Sequence, residues 1–187
     1  MFKKEIRILG IDDAAFDKFR DKKVLVVGAI FRGGDFLDGI ISTKIVVDGD
    51  DSTEKLAEMI NRSKFKSQIR CILIDGIALG GFNVVDIEEL NNRIEIPVIV
   101  IMRRYPEIDE IKSTLIKLNK PEKISLIEKA GKIEKVNSIY VQKKGISTEK
   151  TREILKMTCT RSNIPEPLRQ AHLIASGIVT GESKGRA

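Results

Sequence analysis

Ile6-Arg7-Ile8-Leu9-Gly10-Ile11-Asp12 is a short aliphatic run that stops at a carboxylate, and Cys71-Ile72-Leu73-Ile74-Asp75-Gly76 repeats the pattern. Runs of this length, rich in Ile and Leu and bounded by Gly and Asp, read as strands buried on both faces. In open α/β sheets, functional groups collect in the crevice beyond the carboxyl ends of strands. If these two strands lie adjacent and parallel, Asp12 and Asp75 stand about 5 Å apart. Carboxylates that close repel, so a shared proton or a divalent cation must neutralise one of them. Hard oxygen ligands with no His or Cys beside them favour Mg²⁺ or Mn²⁺ over zinc. The competing reading is that each Asp only caps the turn after its strand. Asp13 leaves open which of the first pair points into the crevice.

Working outward, residues 23–31 and 39–47 are further Ile/Val-rich runs, joined through Arg32-Gly33-Gly34-Asp35, which reads as a hairpin turn. Asp51-Ser52-Thr53-Glu54 looks like a helix start with Asp51 as the cap. After the strand at 69–74 and a glycine-bearing loop at 75–83 come a helix near 85–93, a strand at 96–102 and a helix at about 107–118. Residues 121–137 are polar and ambiguous, reading as a short helix and a loop. A last strand at 138–142 precedes a helix opened by Ser147, and Pro165 opens a final helix to about Val179. Hairpin-linked strands are antiparallel, and strands separated by a helix are parallel. The expected fold is therefore α/β: three antiparallel hairpin-linked strands, then parallel strands, in one mixed sheet with helices on both faces. Residues 1–180 read as a single domain and 181–187 as a polar tail.

The 187 residues carry 33 Lys+Arg against 27 Asp+Glu, a formal net charge of +6. The surplus belongs to one half. Residues 1–100 hold 15 basic and 17 acidic side chains, whereas 101–187 hold 18 and 10. A basic half suits a polyanion such as nucleic acid. The longest apolar run, residues 24–31 with Gly28 inside it, falls far short of the roughly 20 residues of a membrane span. No secretory leader is visible, and two cysteines cannot build a disulfide scaffold, so a cytoplasmic protein with no membrane partner is expected.

Other residues could carry chemistry. Asp48-Gly49-Asp50-Asp51 is a third acidic cluster, readable as a cap and turn or as further metal ligands. Gly80-Gly81 would let backbone approach a phosphate closely. The lone His172 sits in the last helix, three residues after Arg169. No Trp, two Tyr and seven scattered Phe give no aromatic stacking platform for single strands.

Pro165-Glu166-Pro167-Leu168-Arg169-Gln170-Ala171-His172 closely resembles the Pro-Glu-Pro-Thr-Arg-x-Ala-His segment of endonuclease V. Ile146-Ser147-x-Glu149 resembles that family's Ile-Ser-Leu-Glu helix start. Gly10-Ile11-Asp12 resembles its first-strand Gly-Val-Asp, and Ile74-Asp75-Gly76 its second catalytic strand. The resemblance implies a ribonuclease H-like fold with the first strand central beside the fourth, and favours Asp12 over Asp13. The chain looks closer still to an uncharacterised, mainly archaeal family of endonuclease V-like proteins. Asp48-Gly49-Asp50-Asp51-Ser52-Thr53, Gly80-Gly81-Phe82-Asn83 and residues 181–187 resemble its marks. Endonuclease V carries a Tyr-x-Pro-Gly-x-Leu-x-Phe-Arg-Glu segment where this chain has residues 48–54, and a Gly-His where it has Lys144-Gly145.

What the resemblance implies is a Mg²⁺- or Mn²⁺-dependent nuclease acting on DNA or RNA. Its catalytic candidates are Asp12, Asp75 and Asp51, and its metal ligands Asp12, Asp75, Asp48 and Asp51, with Asp50 also able to complete the site. Lys144, Arg169, His172, Gly80 and Gly81 would face phosphate. The alternative is a nucleic-acid-binding protein on the same fold without catalysis.

Overall fold

A computed structural model describes residues 5–183, so part of the tail at 181–187 lies outside the described residues. The chain runs β1 (Arg7–Asp13), β2 (Lys23–Arg32), β3 (Phe36–Val46), α1 (Ser52–Asn61), β4 (Ile69–Asp75) and a two-residue pair, β5 (Ala78–Leu79) and β6 (Asn83–Val84). It continues with α2 (Ile87–Ile94), β7 (Val98–Met102), α3 (Ile108–Lys117), α4 (Glu122–Lys129), β8 (Glu134–Val136), β9 (Ile139–Lys144), α5 (Thr148–Thr158) and α6 (Glu166–Thr180).

Seven strands form one mixed sheet in the order β3-β2-β1-β4-β7-β9-β8. The first three are antiparallel neighbours, and β1, β4 and β7 are parallel, as the sequence leads one to expect. The last long strand departs from that expectation: β9 runs antiparallel to β7. The two helices after β7 lead to β8, which runs in the same direction as β7, and β9 turns back from β8 through a hairpin, starting at the end where β7 finishes. Nothing in the polar 121–137 stretch marks β8, a three-residue edge strand paired only to β9.

Alternation along β1 sorts its side chains. Leu9 and Ile11 pack with Val26, Leu56, Ile60, Ile74 and Leu90 in the core beneath α1 and α2. Ile8 packs with Cys71, Leu73, Ile99, Ile101, Leu155 and Leu168 in the core beneath α5 and α6. The even positions of β1 therefore look toward α6. The sheet is buried on both faces, which is why its central strands read as unbroken aliphatic runs. Among the described residues, no helix is long and apolar enough to cross a membrane.

Candidate functional site

Ile11 pairs with Ile74 across β1 and β4, so Asp12 and Asp75 are the next residues of adjacent parallel strands. Asp12 follows Ile8 and Gly10 on the face toward α6, and Asp75 follows Cys71 and Leu73 on that same face. One strand further, Arg103 continues the Ile99, Ile101 row of β7. Three neighbouring strands thus end in charged side chains on one face. Both aspartates, Asp13, Arg103 and the α6 residues His172, Ser176 and Thr180 line a cleft of about 540 Å³.

The charges in the cleft are coupled. Asp12 Oδ2 lies 2.9 Å from His172 Nδ1, and its Oδ1 accepts from the Asp13 N–H at 2.9 Å. Arg103 donates to Asp75 Oδ2 at 3.2 Å. Asp12 is only 5% exposed, and burial, then the charges of Asp75 and Asp13, push its carboxyl up to about 8. Burial likewise raises Asp75 and Asp13 above the usual carboxylate range. Buried, mutually repelling carboxylates call for a proton or a cation between them. Among the described residues, no group of three or more His, Cys, Asp or Glu side chains could hold a metal ion. Contrary to the sequence expectation a His does stand beside them, but His172 turns its Nδ1 to Asp12, and the oxygen donors are Asp12 and Asp75 with open cleft beside them. That set fits Mg²⁺, which commonly takes one or two carboxylates and keeps several waters, exchanging some for substrate phosphate.

The third acidic cluster is occupied elsewhere. Asp51 stands at the N-cap position of α1 but makes no capping hydrogen bond. Its Oδ1 instead accepts from Val46 N–H (3.0 Å) and Asn83 Nδ2 (2.7 Å). Asp48, in a left-handed conformation with φ 52°, accepts from Phe82 N–H at 2.7 Å. Asp50 pairs with Lys123 at 2.7 Å. The structure does not bring Asp48, Asp50 or Asp51 to the cleft with Asp12 and Asp75.

Lys123 explains that arrangement. It is 1% exposed, and its Nζ donates to the carbonyls of Phe82 (2.7 Å), Asp48 (3.3 Å) and Gly49 while pairing with Asp50. Lys120 also donates to the Asp48 carbonyl. The buried ammonium clamps residues 48–50 against the β5–β6 hairpin, and Gly80 N–H at that hairpin's tip donates to Asp13 Oδ2 at 2.8 Å. Gly81, at φ 86°, lies so close that an added Cβ would sit 2.3 Å from Asp48 Oδ1. The two glycines therefore serve a tight contact with Asp13 and Asp48. Lys123→Met is expected to lower stability by about 2 kcal/mol, because it strands three part-buried carbonyl acceptors. Urea denaturation would measure it, and amide exchange at Gly80 and Phe82 should quicken well beyond the global change.

The phosphate-facing candidates divide. His172 reaches the cleft, against Asp12. Lys144 pairs in register with Val98, the first residue of β7, and so lies at the opposite end of the sheet from Arg103, beside Glu88 at 3.5 Å. Arg169 makes a forked pair with Glu166 and lines a separate cleft with Phe31, Asp35 and Arg161. Arg103, which sequence reasoning passed over, takes the place assigned to Lys144. Its signal was present: Ile99-Val100-Ile101-Met102-Arg103 is a third aliphatic strand ending in a charge.

Residues 4–179 match the family described as endonuclease dU. The chain belongs to the endonuclease dU family. A UPF0215 protein of Methanosarcina barkeri is 51% identical over 190 residues, covering 99% of this endonuclease dU family chain and 96% of the relative. The crystal structure of a protein of unknown function from Archaeoglobus fulgidus superposes with a TM-score of 0.87 at 42% identity, covering 94% of this chain and 99% of that one. Endonuclease V of Ciona intestinalis, crystallised with a 24mer DNA containing an inosine followed by a ribo-adenosine, gives a TM-score of 0.56 at 18% identity over 90% of this chain and 83% of that one. At that identity the likeness establishes the fold. This member of the endonuclease dU family is an endonuclease V-like, ribonuclease H-like α/β protein with a nuclease-like fold.

Proposed function

We propose that the chain is a divalent-metal-dependent nuclease that hydrolyses phosphodiester bonds of nucleic acid in the Asp12–Asp75 cleft. The observation that carries this reading is the pairing of a buried and a half-buried carboxylate at the ends of adjacent parallel strands, with His172 against one and Arg103 against the other. Asp12 and Asp75 would hold Mg²⁺ or Mn²⁺, which supplies an activated water and neutralises charge on the phosphate. His172 fixes the orientation of Asp12 through Nδ1, and a proton lies between the two whenever that 2.9 Å hydrogen bond is made. Arg103, 42% exposed at its side chain, holds Asp75 in place and can turn its guanidinium to a phosphate oxygen of an arriving strand. The walls formed by Ala14 and Ala15 on one side and by Ser176 and Thr180 on the other leave the cleft open to a chain rather than closed around a small molecule.

The family description points first to DNA containing deoxyuridine, and the endonuclease V likeness to inosine. The test is a Mg²⁺ and Mn²⁺ titration with deoxyuridine-DNA, inosine-DNA, undamaged DNA and RNA. Divalent-dependent cleavage that falls to background in both Asp12→Asn and Asp75→Asn is the expected result. A second reading, nucleic-acid binding without cleavage, draws on the Arg103–Asp75 pair, a fixed cation where a metal would stand. Salt-sensitive binding with no cleavage at any divalent concentration would favour it.

A further inference from the structure

Residues 14–22 connect β1 to β2 and leave directly from the cleft, whose wall includes Ala14 and Ala15. Both ends of the loop are fastened: Ala14 N–H donates to Leu25 O at 2.8 Å, and Val47 N–H donates to Lys22 O at 3.1 Å. Phe16 packs against the core beneath α1 and α2. Lys18 pairs with Asp48 at 3.5 Å and lies 5.7 Å from the centre of the Phe82 ring. The tip is a self-fastened turn. Asp17 N–H donates to Asp21 Oδ2 (2.7 Å), Phe19 N–H to Asp17 Oδ1 (2.9 Å) and Asp21 N–H to Asp17 O (2.8 Å).

On that turn Phe19 is 95% exposed. An isolated exposed apolar side chain needs no explanation in general. Here three further features coincide. The turn is ordered by its own carboxylates, so the ring is held out and has no core to fall back on. Phe19 is only four residues from the cleft-lining Ala15, a reach of at most about 14 Å. At about 3.4 Å per nucleotide that reach spans about four nucleotides of a strand lying in the cleft. Lys18, Arg20, Lys22 and Lys23 make the segment around Phe19 basic, with Lys18 turned to Asp48 and Arg20 3.6 Å from Asp17, while Asp17 and Asp21 are engaged with the turn's backbone. An exposed aromatic ring on a basic segment matches the chemistry of a nucleobase on its phosphate backbone.

We propose that Phe19 is a base-stacking residue that receives an unpaired nucleobase next to the strand held in the Asp12–Asp75 cleft. This rests on the nucleic-acid reading above and adds to it a binding element for the base. A protein lacking Trp offers a direct probe, since Phe19→Trp introduces the sole indole. Binding is measured in EDTA, so that no cleavage intervenes, with a single-stranded oligodeoxynucleotide and an abasic oligomer of the same length. Phe19→Ala is expected to weaken the intact strand about tenfold and leave the abasic one unchanged. Phe19→Trp should restore affinity, and its fluorescence should be quenched by the intact strand only. Phe19 has almost no buried surface, so melting temperatures of both variants should match the wild type.

Wild-type binding that Phe19→Ala leaves unaltered, or equal quenching by both oligomers, overturns the stacking role alone. Quenching that follows protein concentration rather than added strand also overturns it, in favour of a contact between copies. Wild-type protein that binds none of the strands in EDTA overturns the stacking role, and failure to cleave them with Mg²⁺ or Mn²⁺ as well removes the nucleic-acid reading.

Discussion

In metal-free buffer, Asp12→Asn is expected to melt about 10 °C above the wild type at pH 8, and only about 3–4 °C above it at pH 5. Asp12 is buried against Asp75 and Asp13, and its carboxyl is raised from 3.8 to about 8. An acid that holds its proton more tightly when folded favours folding most fully below its unfolded pKa. The contribution is lost as pH climbs through the window from about 4 to about 8. Each tenfold gain in proton affinity on folding is worth about 1.36 kcal/mol, so keeping Asp12 in the fold costs about 5 kcal/mol by pH 8 and under about 2 kcal/mol at pH 5. In a domain of this size 1 kcal/mol moves the melting temperature by about 2–4 °C, and the lower figure gives the two differences expected. Asparagine keeps the shape and a hydrogen bond to His172 but carries no charge, so the pH-dependent burden disappears. The same substitution should abolish cleavage, so stability and activity move in opposite directions. Mg²⁺ should stabilise the wild type at pH 8 by binding only the folded state, and should do nothing for Asp12→Asn. Thermal melts at the two pH values, with and without Mg²⁺, check all of this. An Asp12→Asn protein less stable than wild type at pH 8 would mean that Asp12 is ionised there and satisfied by its neighbours.

Part of this site is legible in the sequence, for local reasons. Residues 6–12 and 71–76 are aliphatic because their strands are covered on both faces, and they stop at Asp because the sheet's carboxyl end opens onto solvent. Period-two parity then carries Asp12, Asp75 and Arg103 to one face; the strand at 96–102 is legible, but the charge just beyond its end was passed over. What stays hidden depends on contacts distant in sequence. Asp51 has the sequence of a helix cap, but Asn83, 32 positions away, and Val46 take its carboxylate. Lys123 sits in a polar stretch that reads as surface, and only three carbonyls contributed by residues 41 to 75 positions away make it a buried clamp. The place expected for Lys144 followed from the resemblance, where it stands at the family's Gly-His. The antiparallel β9 sends it to the far end of the sheet.

Gly10→Ala is expected to cost about 4 kcal/mol or more, an exceptional loss for a single added methyl group. Gly10 lies on the α6 face of β1, two residues before Asp12. A Cβ there would stand 2.2 Å from Pro167 C and 2.5 Å from both Leu168 N and Pro167 O. All three are backbone atoms in the first turn of α6, so no rotamer change relieves the overlap and the helix itself must retreat. Gly28 provides the control. A Cβ there would meet Ile41 Cγ1 and Leu9 Cδ1 at 2.9 Å, side-chain atoms that can move, so Gly28→Ala should cost only about 1–2 kcal/mol. The difference reaches the site, because α6 also carries His172, and a helix pushed off Gly10 draws the ring from Asp12. Denaturant midpoints give the first comparison. The chain's single histidine gives the second, as one imidazole signal whose chemical shift should move in Gly10→Ala and stay as in wild type in Gly28→Ala. If the two variants are equally mild, close backbone packing between β1 and α6 is not what holds His172 at Asp12.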